Sequence, residues 1–134
     1  MEKINFQNGV TKVNADTFNT FQNNIENAIN NIQISEATPS SKFGQIDVNK
    51  VIINNKMVEV HFRGYLTSEI AGNTLILSNI PTPVIEANYT NIIYLGGEYD
   101  AQTPKWIYIV SDQLKGEYLP ANTWVHISLS YIKG

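Results

Sequence analysis

Aromatic side chains near a cluster of polar residues are the clearest candidates for chemistry in this chain. Trp106 and Tyr108 share one face of a predicted strand, Ile107 and Ile109 share the other, and Tyr99 lies in the preceding loop. An exposed aromatic ring stacks on the C–H face of a sugar, while adjacent charged groups bond the sugar hydroxyls. The pattern therefore indicates a saccharide site if the two isoleucines face the core. The opposite orientation, with the rings in the core and the isoleucines against another subunit, stays open.

The candidate ligand-binding residues combine these rings with the acids of the same loop and with an arginine. They are Trp106, Tyr108, Tyr99, Glu98, Asp100 and Arg63, which is the only arginine of the chain.

Catalytic groupings are weaker. Ser128 and Ser130 share a strand face with His126, but a hydrolase needs a base that a third group orients, and a polar outer strand face explains the pattern better. Glu98 and Asp100 could pair as in glycoside hydrolases, although alternate acids in an exposed loop are usually solvated. We expect no catalytic residue and a protein that is not an enzyme. A small glycosidase with two such carboxylates remains the least favoured alternative.

Metal and cofactor chemistry has little support in the sequence. The chain has no cysteine and two histidines, which excludes a zinc site built from thiolates or from several imidazoles of one chain. Gly96 and Gly97 lack the spacing of a phosphate-binding loop, and the acids lack the spacing of a calcium loop. We expect no metal and no cofactor, while three copies of one side chain on a symmetry axis stay open.

The composition of the chain limits the kinds of partner that it can bind. The 134 residues are 43% hydrophobic, and nine basic against twelve acidic side chains give a net charge of −3. So few basic residues cannot form the dense patch that neutralises nucleic-acid phosphates. No stretch has the length and apolarity of a membrane span, and the first residues do not resemble a signal peptide. We therefore expect synthesis in the cytoplasm, no nucleic-acid partner and no membrane insertion.

One helix is predicted, from Ala15 to Gln33, with Asn14 as its N-cap. Its apolar residues follow at alternating spacings of three and four, which is a heptad seam: Phe18, Phe21, Ile25, Ala28 and Ile32. Many asparagines weaken the helix by about 3 kcal/mol in total, so the seam must be packed for the helix to be stable. Either the chain's own sheet or sister copies of the helix could supply that packing.

After a predicted linker at 36–43, the hydrophobic period changes from helical to alternating. Ile46–Ile53 and Met57–Leu66 flank a turn at Asn54–Lys56 and predict a hairpin. Further short strands are predicted at Thr74–Leu77, Asn91–Leu95, Lys105–Val110, Glu117–Leu119 and Trp124–Ile132. The predicted fold is mainly β with one N-terminal α-helix, and the strands form an antiparallel β-sandwich or jelly-roll-like head at 44–134.

The N-terminal region of the chain resembles that of many phage tail and baseplate proteins. The matched positions of that pattern, within Ile4–Ile29, are Gly9, Thr11, Asn14, Ala15, Asn19, Ile25 and Ala28. A second segment is similar to the β heads of receptor-binding proteins from siphophages of Gram-positive hosts. It comprises Lys56–Leu66, the Ile80–Pro83 turn and the closing strand Trp124–Tyr131.

The resemblance implies a small lower-baseplate or tail-fibre adhesin that binds host cell-wall saccharide as a homotrimer. It makes residues 1–35 an attachment and trimerisation segment, in which the heptad seam joins three parallel helices. The implied partners are sister copies, other tail or baseplate proteins through the N-terminus, and the host saccharide, and the implied location is the virion. A purely structural tail-fibre or baseplate component without a ligand is the alternative.

Overall fold

The computed structural model describes residues 15–85 and 91–134, although for residues 15, 26–30 and 91 it describes the backbone alone. The chain divides into two compact units, Met1–Gln33 and Ile34–Gly134. The attachment function predicted for the first residues, and the resemblance at Gly9, Thr11 and Asn14, lie outside the described residues.

Within its described residues, the first unit contains one helix, α1, which spans Ala15–Asn30. Asp16 lies in its first turn, where a negative charge stabilises the helix dipole. The prediction placed the helix end at Gln33, three residues too late, because the alternation of β-branched Ile32 and Ile34 with polar neighbours favours an extended chain. No helix within the described ranges is long and apolar enough to cross a membrane.

Nine strands follow the helix. They are β1 Ile32–Ser35, β2 Thr38–Pro39, β3 Phe43–Asn54, β4 Met57–Leu66, β5 Leu75–Ser78, β6 Asn91–Gly96, β7 Ala101–Val110, β8 Gln113–Gly116 and β9 Thr123–Ile132. They form one sheet in the order β1-β3-β4-β9-β6-β7-β8-β5-β2, and the pairings among β2 to β9 are antiparallel. The described chain is therefore mainly β, with one short helix and a curled antiparallel sheet.

The core lies on the inner side of this curled sheet. Alternate residues of β4, Val58, Val60 and Phe62, are buried, and β9 contributes Val125 and Ile127 in the same way. Each such side chain stabilises the fold by about 1.5–3 kcal/mol through removal of apolar surface from water. Because successive side chains of a strand point to opposite faces, the same strands display their polar residues on the outer side.

The β3–β4 hairpin matches its prediction. Its turn residue Asn55 has a φ of 57°, a conformation that asparagine tolerates better than most residues. Two segments that were not predicted as strands are strands: β8 occupies Gln113–Gly116, and β7 begins at Ala101 instead of Lys105. Pro104 is tolerated within β7 because β8 pairs only with Ile107–Val110, which leaves the earlier part of β7 without a neighbour on that side. Glu117–Leu119, predicted as a strand, forms only one bridge, between Leu119 and Ile70.

The segment 36–43, expected as a linker, belongs to the second unit. Ala37 is buried, and the side chain of Asn49 on β3 makes two hydrogen bonds to it. The Ala37 N–H donates to Asn49 Oδ1 at 2.9 Å, and Asn49 Nδ2 donates to the Ala37 carbonyl at 2.8 Å. The Asn49 amide pairs with the Ala37 backbone as a neighbouring strand would. The composition of residues 36–43 does not reveal this long-range contact.

We expect Asn49→Ala to lower the free energy of unfolding by about 2 kcal/mol, because it removes both bonds and leaves two backbone groups of Ala37 unpaired. Asn54→Ala, at an exposed position of the same strand, is the matched control and should change stability by less than about 0.5 kcal/mol. Urea unfolding followed by tryptophan fluorescence measures both variants. Equal stability of the two would show that the Asn49 amide does not hold this segment.

Candidate functional site

The outer side of the sheet carries a polar and aromatic surface across β4, β9 and β6. The strand register places Arg63 opposite His126, and His126 opposite Tyr94, so these three side chains form a row across three strands. The adjacent row pairs His61 with Ser128. Directly opposed side chains of antiparallel strands lie on the same face and within contact distance. The pairing therefore assembles residues that are far apart in the sequence.

The β6–β7 turn adds an aromatic ring to this surface. The Gly97 N–H donates to the Asp100 carbonyl at 2.9 Å and closes the turn, within which Tyr99 is 82% exposed. The Gly97 carbonyl in turn accepts a 2.9 Å hydrogen bond from His126 Nε2. Because a carbonyl oxygen can only accept, this bond requires the proton of His126 to be on Nε2. The histidine thereby anchors the turn to β9.

Arg63 and Tyr99 form a cation–π pair. The guanidinium carbon lies 5.5 Å from the centre of the Tyr99 ring, and Arg63 Nη2 contacts Asp47 Oδ2 at 3.3 Å. The hydrogen bond from Tyr99 to Glu98, together with the charge of that carboxylate, raises the pKa of the Tyr99 phenol. Arg63 acts in the opposite direction but more weakly. The ring is thus neutral and held between a cation and an acid, which orients it while it stays exposed.

A shallow groove of about 290 Å³ lies beside this ring. We call it the Arg63 groove, and its lining residues are Val48, His61, Phe62, Arg63, Tyr94, His126, Ile127 and Ser128. Arg63 Nε is buried and has no hydrogen-bond partner. Ser128 Oγ and His61 Nδ1 are 3.4 Å apart, a long hydrogen bond. The groove offers apolar floor atoms and several hydrogen-bonding groups, as small-ligand sites do.

The hydrogen bonds of the serine–histidine pair and of the loop acids bear on the catalytic alternatives. Among the described residues, no carboxylate is hydrogen-bonded to His61, so the Ser128–His61 pair lacks the orienting third group of a hydrolase. Asp100 accepts two 2.8 Å hydrogen bonds from Gln102 Nε2, and Glu98 bonds Tyr99. The two loop acids therefore have local partners instead of facing each other.

The structure divides the predicted ligand-binding residues into two groups. Arg63, Glu98 and Tyr99 lie together, and Asp100 ends the same turn. Trp106 and Tyr108 lie on β7, where their rings stack with centres 6.1 Å apart.

The structure shows which of the two orientations that the sequence left open β7 adopts. Ile107 and Ile109 are core residues, and Trp106 is 39% exposed on the opposite face. Tyr108, expected to be displayed beside Trp106, is instead only 9% exposed, and its hydroxyl donates to Asn73 Oδ1 at 3.2 Å. Tyr108 is therefore not available to a ligand, because the outer face of β7 is covered at this position.

Several residues of the Arg63 groove were not among the predicted ligand-binding residues. His61, Tyr94, His126 and Ser128 line it, and Asp47 contacts Arg63. The alternation of β4 and β9 placed His61 and His126 on outer faces, but it gave no strand order. Only the pairing of β4 with β9, and of β9 with β6, brings these side chains to Arg63.

The predicted trimerisation seam is partly described. Phe18, Phe21 and Ile25 are 54%, 39% and 37% exposed. The side chain of Ala28 lies outside the described residues. Ile32, the last predicted seam position, is in β1 and not in the helix.

The described part of the chain contains no group of three or more histidine and acidic side chains placed to hold a metal ion. The expectation of no cofactor stays a prediction.

No protein-family model, no curated protein and no solved structure matches this chain.

The β6–β7 turn provides a test of how the surface is built. A Cβ at Gly96 would overlap the Asp100 backbone carbonyl, whereas one at Gly97 meets no heavy atom within 4 Å. We expect Gly96→Ala to destabilise the protein by about 1–3 kcal/mol through this overlap. The neighbouring Gly97→Ala should stay within about 0.5 kcal/mol of wild type. Thermal and urea unfolding compare the two, and equal effects would contradict the tight packing of this turn.

Proposed function

We propose that this chain is a receptor-binding protein of a phage or phage-like tail, which binds a host cell-surface saccharide non-covalently through its β head. The observation that carries the proposal is the Tyr99 ring, which is 82% exposed and held against the Arg63 guanidinium at the edge of the Arg63 groove. An exposed ring that is held in this way presents a face on which the C–H face of a sugar stacks.

The neighbouring groups match a polyhydroxylated ligand. His61, His126, Ser128 and the Tyr94 hydroxyl offer donors and acceptors in one groove, beside apolar atoms of Val48 and Ile127. A polymer that passes along a cell surface needs an open groove rather than an enclosed pocket. The shallow shape of the Arg63 groove therefore supports a segment of a surface glycan over a small enclosed metabolite.

The tail assignment rests on the sequence resemblance of Ile4–Ile29 and on the order of a helix followed by a β domain. In this proposal the head is a sandwich or jelly-roll-like domain of a homotrimer, and residues 1–35 attach it to other tail or baseplate proteins in the virion. Trp106, which is 39% exposed on β7, is a second contact for the saccharide.

The exposed face of α1 supports the trimer. Phe18, Phe21 and Ile25 repeat at heptad spacing and are exposed within the single chain. A helix rich in asparagine gains little stability from propensity, so burial of this face between parallel copies would stabilise both helix and assembly. Three parallel helices place three heads on one side, where weak individual sites act together.

We expect Ile25→Asp to convert the trimer into monomers, because it places a charge in the seam between the helices. Asn23→Asp adds the same charge at an exposed helix position off the seam and should remain trimeric. Light scattering coupled to size-exclusion chromatography gives the mass of each variant. An Ile25→Asp protein with the mass of three chains would defeat the seam proposal.

We expect Tyr99→Ala to weaken adsorption to host cells and binding to purified cell-wall glycan by at least about tenfold, because the stacking platform is lost. Tyr118→Ala is the control: Tyr118 is also exposed, at 46%, but its hydroxyl bonds Glu69 away from the Arg63 groove. It should bind like wild type. A parallel Trp106→Ala variant reports whether β7 contributes to the same ligand.

The outcome also separates the proposal from its alternative. A folded, trimeric protein that binds no glycan, and whose Tyr99→Ala variant leaves particle adsorption unchanged, is a structural tail-fibre or baseplate component. Surface plasmon resonance on immobilised cell-wall polymer, with particle adsorption measured separately, makes this distinction.

A further inference from the structure

We infer that the Arg63 groove is an oxyanion site, which takes a phosphate or carboxylate group of the surface ligand. This inference rests on the proposed function for the identity of the ligand, but the anion site itself is carried by independent observations. They are the distribution of cationic side chains, an unpaired donor of Arg63, and the composition of the groove lining.

The arginine and the two histidines of the chain are grouped in one place. The chain is acidic overall, with a net charge of −3, and it contains one arginine and two histidines. All three of these side chains, Arg63, His61 and His126, line the same groove. No carboxylate is among the residues that line it. A local excess of donors with positive or protonatable groups, in an otherwise acidic chain, favours an anionic ligand.

Arg63 retains unused hydrogen-bonding capacity. Its Nε is buried without a hydrogen-bond partner, and its ion pair to Asp47 uses Nη2 at a long 3.3 Å. A guanidinium has five N–H donors in a plane that matches the geometry of phosphate and carboxylate oxygens. The Arg63 side chain is 30% exposed, so an oxyanion in the groove can accept from guanidinium N–H groups other than the one that bonds Asp47.

Neighbouring groups set the polarity of the site. Ser128 and His61 supply further hydrogen-bonding groups in the next row across β4 and β9. Outside the lining, Lys50 is the cross-strand partner of His61, and Glu59 follows two residues away on the same strand face. The positive charge of Lys50 and the negative charge of Glu59 offset each other. Asp47 is therefore the main competitor of a bound anion for Arg63.

The test is a titration of the full chain with inorganic phosphate, followed by the NMR signals of the imidazole rings. Because the chain has only two histidines, each signal is assigned by one substitution, His61→Gln or His126→Gln. We expect both signals to shift with saturation in the millimolar range, while sodium chloride at equal ionic strength leaves them in place. Glycerol phosphate, glucuronate and neutral glucose then distinguish a phosphate source from a carboxylate source.

Two substitutions give opposite expected results. Arg63→Gln should weaken phosphate binding by at least about tenfold, because charge-assisted hydrogen bonds are lost. Asp47→Asn should strengthen it several-fold, because it removes the competing carboxylate. Lys56→Gln, which removes one positive charge in the β3–β4 turn, is the control and should bind phosphate like wild type. Circular dichroism checks that each variant is folded.

Specific results overturn the inference. It fails if phosphate shifts neither imidazole, if Asp47→Asn does not strengthen binding, or if Lys56→Gln weakens binding as much as Arg63→Gln. The proposed function fails differently: phosphate binds as expected, yet the protein adsorbs to no cell wall and binds no glycan. Adsorption that is unaffected by Arg63→Gln, with Tyr99→Ala still impaired, retains the saccharide site and removes its anionic ligand.

Discussion

The unbroken pairing of β4 with β9 is the constraint on which both the core and the outer surface depend. Ten consecutive pairs run from Met57 opposite Ile132 to Leu66 opposite Thr123. Because side chains alternate, a slip of β9 by one residue against β4 would bring Ile127 to the outer face and His126 into the core. Burial of the apolar set therefore selects the register, and the same register assembles the Arg63 groove. Burial of the core therefore fixes the positions of the groove residues as well.

The position of β9 in the sheet extends this effect. The last strand of the chain lies between β4 and β6, so it joins the early hairpin to the later strands. His126 on β9 contributes on both sides of the strand. It lies opposite Arg63 on β4, and it donates a hydrogen bond to the Gly97 carbonyl in the β6–β7 turn. Tyr99 is held by this turn, which in turn needs a residue without a Cβ at Gly96. Three distant parts of the sequence thus meet through one strand.

Local patterns anticipated the parts of the fold that alternate over many residues. The β3–β4 hairpin and β9 follow from period-two burial, which a sequence displays directly. The same alternation in β7 left open which of its two faces is buried. Four-residue β8 and the Ala37 segment do not, because short polar strands have the composition of turns and Ala37 is held by a distant amide. Tyr108 shows a further limit: alternation assigns a side chain to a face but cannot tell whether that face is covered. The groove needed the strand order, which is a non-local property.

In the proposed function, the shallow groove explains why several heads must be joined through the helix face. In the proposed function, a groove of about 290 Å³ holds one or two sugar units, and the cost of ordering the ligand offsets part of the binding free energy. A single head is therefore a weak binder in this proposal, whatever the chemistry of Arg63 and Tyr99. Joining heads through the seam of Phe18, Phe21 and Ile25 makes later contacts intramolecular, which raises the avidity by orders of magnitude without new contacts. Weak sites also release and rebind individually, so an assembly can search a cell surface before it is held there. On this argument the helix supplies the affinity and the β head supplies the selectivity, and neither unit would attach a particle alone.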